Sequence, residues 1–111
     1  MDRVEFYKSL VRQTICDYAA QIPELEGVDQ KIIFHEELSY YALLHNGWLR
    51  GHRVYGNILH LEVKDGKIYI QHDGTEDGIT DFFLDNGVPT HDIVIQRHPP
   101  EYRHLTEFAI S

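Results

Sequence analysis

The feature that most constrains the fold is the dipeptide Asp65-Gly66, which separates two runs of β-forming residues at 53–63 and 67–73. An Asp-Gly pair in this setting forms a two-residue hairpin turn of type I′, because both turn positions accept a positive φ. Such a short turn also determines which side chains of the two strands lie opposite each other. The sequence therefore predicts an antiparallel hairpin with a defined register.

This register separates an apolar face from a polar one. The apolar side pairs Val63 with Ile68, Leu61 with Ile70 and Leu59 with His72. The opposite side pairs Glu62 with Tyr69 and His60 with Gln71. We expect the apolar face to pack under a helix, and the polar, aromatic face to meet water or a partner.

The first segment of the chain predicts a long helix. Asp2 followed by Glu5 resembles a capping box. Residues suited to a buried stripe then recur at spacings of three and four, which places them on one helix face. They are Tyr7, Leu10, Val11, Thr14, Ile15, Tyr18 and Ile22. Pro23 prevents the helix from continuing.

The remaining segments complete a prediction of fold class. Two more runs with a period of two, residues 31–36 and 40–48, predict two further strands. Thr75 and Gly87 suit the start and end of a short second helix, and residues 93–95 suit a brief strand. Residues 1–111 are thus expected to form one α+β domain of two layers. A long N-terminal helix would pack on a four-stranded, or slightly larger, antiparallel sheet, followed by the short helix and an irregular C-terminal tail.

Composition narrows the classes of partner. The chain has 10 Lys and Arg against 18 Asp and Glu, a net charge of −8 with neutral histidines. This balance disfavours general binding to nucleic acid or to anionic membranes, since both depend on basic side chains. A single cysteine, Cys16, a charged N-terminus and the lack of any run near about 18 apolar residues indicate a cytoplasmic protein.

No residue is predicted to be catalytic or to hold a cofactor or metal. The eight histidines lack metal-ligand spacing, and the hairpin register places His60 and His72 on opposite faces of the sheet. Glu62 and Lys64 match half of a metal-dependent nuclease motif. The nearest further acid, Asp73, is expected opposite Ile58, which is about 13 Å from Glu62 along an extended strand. A metal-dependent enzyme remains an alternative hypothesis.

Two basic, aromatic spots are candidate contact sites. One is the tip of the second hairpin, with Trp48, Arg50 and Arg53. We expect it to bind protein together with the polar sheet face, whose members are His60, Glu62, Tyr69 and Gln71. A secondary surface contains Arg97, His98, Tyr102 and Arg103. The alternative is a small DNA-contacting regulator that uses the tip at residues 50–53.

Six strings spread along the chain are informative together. They are VYG at 54–56, HLEVKDGKIYIQ at 60–71, DGTE at 73–76, GVP at 87–89, DIV at 92–94 and HPPE at 98–101. In this combination the chain resembles the XisI family, the fdxN element excision controlling factors of cyanobacteria. The resemblance extends over nearly the whole chain.

The resemblance implies an accessory role. Proteins of this type are associated with programmed excision of a DNA element during heterocyst differentiation, in which a separate site-specific recombinase exchanges the strands. A companion factor, XisH, accompanies XisI, and the family offers no established catalytic residues. An acidic chain suits a factor that acts through a partner protein. A homodimer or larger homo-oligomer is also expected, through the aromatic sheet face or the adjoining tip.

Overall fold

The computed structural model describes residues 2–76 and 78–96, which contain two α-helices, a 3-10 turn and five strands. In chain order they are α1 (Arg3–Gln21), β1 (Val28–His35), β2 (Tyr40–Leu49), β3 (His52–Lys64), β4 (Lys67–Asp73), α2 (Thr80–Asp85), the 3-10 turn (Thr90–Asp92) and β5 (Ile93–Ile95). No helix within this described part of the chain is long and apolar enough to cross a membrane.

The strands form one sheet in the order β1-β2-β3-β4-β5. The first four are antiparallel neighbours, as predicted, but β5 is parallel to β4. The sheet has five strands, which agrees with the expected four or slightly more, but it is mixed rather than wholly antiparallel. The difference arises because the chain crosses over through α2 before β5, and a crossover returns the next strand in the same direction.

Helix α1 covers one face of the sheet as its residue spacing predicts. Asp2 caps it by accepting a hydrogen bond from the backbone N–H of Glu5 at 3.0 Å. The buried positions of the helix are Tyr7, Leu10, Val11, Thr14, Ile15 and Ala19. Tyr18 and Ile22 are half-buried at the edge of the same cluster.

The Asp65-Gly66 turn also has the predicted form. The φ angles of the two residues are 54° and 72°. A type I′ turn requires a positive φ at both positions. The four side chains that the register assigned to the core are all at most 3% exposed: Leu61, Val63, Ile68 and Ile70. The pairing next to the turn is therefore confirmed.

Farther from the turn, a β-bulge changes the register. Leu61 pairs with Ile70, but His60 pairs with His72 and leaves Gln71 as an extra residue in β4. The predicted pairs of His60 with Gln71 and Leu59 with His72 are therefore wrong. An extra residue shifts every later pair by one position, and this shift brings His60 and His72 opposite each other.

A second bulge lies between β2 and β3. Leu43 pairs with Leu59, whereas Leu44 pairs with Asn57, so Ile58 is the extra residue. In the part of β3 that precedes Ile58, the odd-numbered residues therefore lie on the face of the sheet away from α1, whereas from Leu59 onward they lie on the α1 side. The bulge thus determines which side chains of the hairpin tip lie on each face.

The loop before α2 is organised by a carboxylate rather than by the predicted threonine cap. Helix α2 begins at Thr80, so the expectation that Thr75 caps it is wrong. Asp73 Oδ1 accepts the N–H of Thr75 at 2.9 Å, and its Oδ2 accepts the N–H of Ile79 at 3.1 Å. Gly87 lies after the end of α2 with a φ of 91°. A glycine in this conformation after a helix is what the sequence predicts.

Two tyrosine hydroxyls connect separate parts of the fold. The hydroxyl of Tyr7 in α1 donates to the buried carboxylate of Asp92, while that of Tyr41 donates to Glu36 at 3.0 Å. Arg12 of α1 binds the same Glu36 carboxylate at 3.1 Å. Burial, followed by the neighbouring carboxylate, raises the pKa of each tyrosine to about 12.

Candidate protein-interaction surface

The tip of the β2–β3 hairpin presents two exposed aromatic rings with an arginine between them. Trp48 is 60% exposed and Tyr55 71% exposed. The guanidinium carbon of Arg53 lies 5.8 Å from the centroid of the Trp48 ring and 5.2 Å from that of Tyr55. Both distances lie within the range of cation–π attraction. We call these three residues the tip cluster.

The Ile58 bulge explains why the tip cluster forms. Trp48 pairs directly with Arg53 across the hairpin. Residues 43 and 48 of β2 are five positions apart, so strand alternation places Trp48 and the buried Leu43 on opposite faces of the sheet. Without the extra residue at Ile58, alternation along β3 would direct Arg53 and the core residue Leu59 to the same side. The bulge therefore turns Arg53 toward Trp48, on the face of the sheet away from α1.

The turn at the end of this hairpin also positions its second arginine. Arg50 and Gly51 both have positive φ, 52° and 79°, and both are exposed. A hydrogen bond also holds Arg53 in place, because its Nη1 donates to the carbonyl oxygen of Gly47 at 2.9 Å. Trp48, Arg50 and Arg53 are thus brought to one end of the sheet, and two of the three are in contact.

The centre of the sheet face away from α1 contains a histidine between an aromatic ring and a carboxylate. The rings of His60 and Tyr40 have centroids 4.2 Å apart. The buried Nε2 of His60 lies 3.2 Å from Glu62 Oε2, without the alignment of a hydrogen bond to any described residue. Burial lowers the pKa of His60, and the Glu62 carboxylate opposes that shift.

Tyr69 and Gln71 lie in different positions from those expected. Tyr69 pairs with Glu62 as predicted, but it is only 5% exposed, so the expectation that it forms part of an open contact face is wrong. It lies between β3 and β5, where it also pairs with Val94, and Lys64 Nζ lies 4.5 Å from its ring centroid. Gln71 is the extra residue of the bulge. These two side chains do not extend the tip cluster.

The geometry bears on the metal hypotheses as well. His60 and His72 pair across two strands, so the expectation that they lie on opposite faces of the sheet is wrong. Within residues 2–76 and 78–96, however, no group of three His, Cys, Asp or Glu side chains is arranged to hold a metal. Asp73 lies opposite Leu59, not opposite Ile58, and its carboxylate binds the following loop.

The secondary surface with Arg97, His98, Tyr102 and Arg103 lies outside the described residues.

Two features of the surface were not predicted as sites. Tyr55 completes the tip cluster, and its only sequence signal is that it lies two residues after Arg53 in a strand. The other is the outer strand β1, where three consecutive apolar residues are exposed: Ile32 at 43%, Ile33 at 41% and Phe34 at 36%. An uninterrupted apolar run in an edge strand could have indicated this second feature.

Comparison with known proteins gives consistent results. The family model described as "XisI protein" matches residues 1–110. A crystal structure of the fdxN element excision controlling factor XisI from Anabaena variabilis ATCC 29413 is 35% identical, covers 99% of this chain and 100% of that one, and has a TM-score of 0.89. A XisI-like protein from the same organism is 28% identical, with 97% and 99% coverage and a TM-score of 0.92. No curated protein sequence matches.

Proposed function

Because this chain belongs to the XisI family, we propose that it is a non-catalytic accessory factor that controls excision of a DNA element by binding a XisH-like companion protein. The relative from Anabaena variabilis is named as a controlling factor for excision of the fdxN element. The role proposed for this chain is of the same kind, in the developmental excision that accompanies heterocyst formation.

The observation that carries the proposal is the tip cluster. Exposed large aromatic residues next to an arginine are typical of the few positions that dominate protein–protein binding energy. At this site Arg53 is already held by two rings and by the carbonyl of Gly47. A side chain held in place before binding loses less conformational entropy when the partner arrives.

Charge favours a protein partner over DNA. The chain carries a net charge of −8, which opposes approach to a phosphate backbone. Arg50 and Arg53 offer only two cations at the tip, and the guanidinium of Arg53 is already engaged. A DNA-contacting regulator that uses residues 50–53 is therefore the less favoured function.

The test is capture of the purified XisH-like companion, measured by calorimetry. We expect Trp48→Ala to weaken binding by about 10- to 100-fold, the effect of losing an interface hot spot. The matched control is Leu38→Ala, which removes another exposed apolar side chain, 68% exposed, from the turn between β1 and β2. Unchanged binding by both Trp48→Ala and Tyr55→Ala would refute this use of the tip cluster.

A gel-shift experiment separates the DNA alternative. We expect no shift of duplex DNA at physiological salt with the protein alone. A shift that disappears in an Arg50→Ala, Arg53→Ala double variant would favour the DNA-contacting function instead.

The metal-dependent enzyme hypothesis has its own test. We expect purified protein not to cleave plasmid DNA in the presence of Mg²⁺ or Mn²⁺. Cleavage that is abolished by Glu62→Ala in a correctly folded protein would overturn the non-catalytic assignment.

A further inference from the structure

The outer edge of β1 presents an open hydrogen-bonding strand. Strand β1 pairs with β2 on one side, and no strand of the described part of the chain pairs with its other side. All but one of its eight residues are exposed, including the run from Ile32 to Phe34. A long apolar edge of this kind is a template for pairing with another chain.

The backbone pattern shows which groups of β1 are directed outward. The N–H of Trp48 donates to the carbonyl of Gly27 at 2.8 Å, so these residues form a hydrogen-bonded pair. Hydrogen-bonded and non-hydrogen-bonded pairs alternate along an antiparallel ladder. The backbone groups of residues 29, 31, 33 and 35 are therefore directed at β2. Those of Gln30, Ile32 and Phe34 are directed away from the sheet.

We propose that a second copy of this chain binds this edge, with the two β1 strands antiparallel and Ile32 opposite Ile32 of the second copy. A twofold axis perpendicular to the sheet would pass between these two residues and keep both α1 helices on one side. Gln30 then pairs with Phe34 of the second copy, and Phe34 pairs with Gln30 of the second copy. The three outward-directed residues of each strand form about six hydrogen bonds across the axis.

Side-chain charge and the length of the paired segment favour this register over the two that are centred nearer the N-terminus. A pairing centred one residue earlier would place Lys31 directly opposite Lys31 of the second copy, and like charges in that position are destabilising. A pairing centred on Gln30 would leave Ile33 and Phe34 beyond the paired segment, because the chain bends at Gly27, where φ is 87°. Centring on Ile32 pairs all seven residues from 29 to 35 and brings no like charges together.

The chosen register also matches a donor with an acceptor. Asp29 lies opposite His35 of the second copy. The Nδ1 atom of His35 accepts the N–H of Leu38 at 3.3 Å. Because Nδ1 is the acceptor, the neutral ring carries its proton on Nε2. That donor is available to the Asp29 carboxylate, and symmetry provides the same contact twice.

Cysteine cross-linking tests the register. In a Cys16→Ser background, Ile32→Cys should form a disulfide-linked dimer on mild oxidation, because residues in a hydrogen-bonded pair have Cα atoms about 5.5 Å apart, within the range of a disulfide. The matched variants Lys31→Cys and Ile33→Cys should cross-link far less, since neither residue pairs with its own copy. Preferred cross-linking at either control position would overturn the register.

Light scattering tests the dimer itself. We expect a mass of twice 13.0 kDa for the unmodified protein and a shift to the monomer for Ile32→Lys. We expect no shift for Leu38→Lys, which adds the same charge at an exposed apolar residue outside β1. Circular dichroism establishes that each variant is folded. A folded protein that is monomeric at every concentration would overturn the proposal.

The dimer is independent of the proposed companion binding, and the two can fail separately. We expect Trp48→Ala to leave the dimer intact and Ile32→Lys to leave capture of the companion unchanged. If Ile32→Lys abolished companion capture but had no effect on the mass of the protein alone, the edge would bind the companion, and the self-pairing assignment would be wrong.

Discussion

Replacing Tyr7 with phenylalanine removes a single hydroxyl group from the contact between α1 and the 3-10 turn. In the native structure this hydroxyl donates to Asp92, and the two residues are only 3% and 4% exposed. Two other basic side chains lie near the carboxylate, His91 at 3.7 Å and Arg3 at 4.0 Å, but they are 79% and 63% exposed. The variant therefore leaves a buried carboxylate without its main donor.

The expected loss of stability follows from this burial. A hydrogen bond to a charged group contributes about 1.5–3 kcal/mol, and removal of one partner leaves the other poorly solvated. We expect Tyr7→Phe to lower the free energy of unfolding by about 2–3 kcal/mol. With an unfolding entropy of about 2.1 cal/mol/K per residue, this corresponds to a decrease in Tm of about 10 °C.

Urea denaturation monitored by circular dichroism measures the effect, and Tyr41→Phe is the matched control. The Tyr41 hydroxyl also binds a carboxylate, but the Glu36 side chain is 55% exposed, so water can replace the lost donor. We expect the control to be destabilised by less than about 1 kcal/mol. Equal effects of the two substitutions would refute the argument from burial.

Further predictions concern pH and the difference between a buried and an exposed tyrosine of the sheet. Because the pKa of Tyr7 and Tyr41 is about 12 in the fold against 10.0 ordinarily, their contribution is complete below pH 10 and is lost as the pH rises toward 12, which alkaline denaturation should show. The lowered pKa of His60 acts in the opposite direction: stability should fall as the pH decreases below about 6.5, and His60→Gln should flatten that fall in urea titrations. Tyr69→Ala removes a buried ring and should be destabilising by about 3 kcal/mol. Tyr55→Ala removes an exposed one and should change the stability by less than about 0.5 kcal/mol. Similar effects of these two substitutions in urea denaturation would contradict their different burial.

The sequence predicted local features of the fold well. The cap at Asp2, the buried stripe of α1 and the turn at Asp65-Gly66 each depend on residues close together in the chain. The pairs nearest the turn were correct for the same reason. Local preference is sufficient where only one local conformation meets the steric and hydrogen-bonding requirements.

The bulges and the parallel pairing of β5 were beyond such reasoning. Nothing in the local sequence indicates that Gln71 or Ile58 is an extra residue, because a bulge depends on how two strands must curve together over a core. Tyr69 pairs with Val94 of β5, a strand that is distant in the chain and pairs with β4 only after a crossover. The tip cluster was partly predicted, but its contact geometry depends on the Ile58 bulge.

The contact between Tyr7 and Asp92 joins residues that are 85 positions apart. At a synthesis rate of about 5–20 residues per second, Tyr7 waits about 4–17 s on the ribosome before Asp92 is made. During that interval the apolar stripe of α1 has no complete sheet to cover, and most of the stability of a protein helix comes from the packing of its apolar face. The nascent chain is therefore expected to be a substrate for chaperones and proteases until the segment that contains Asp92 has left the exit tunnel.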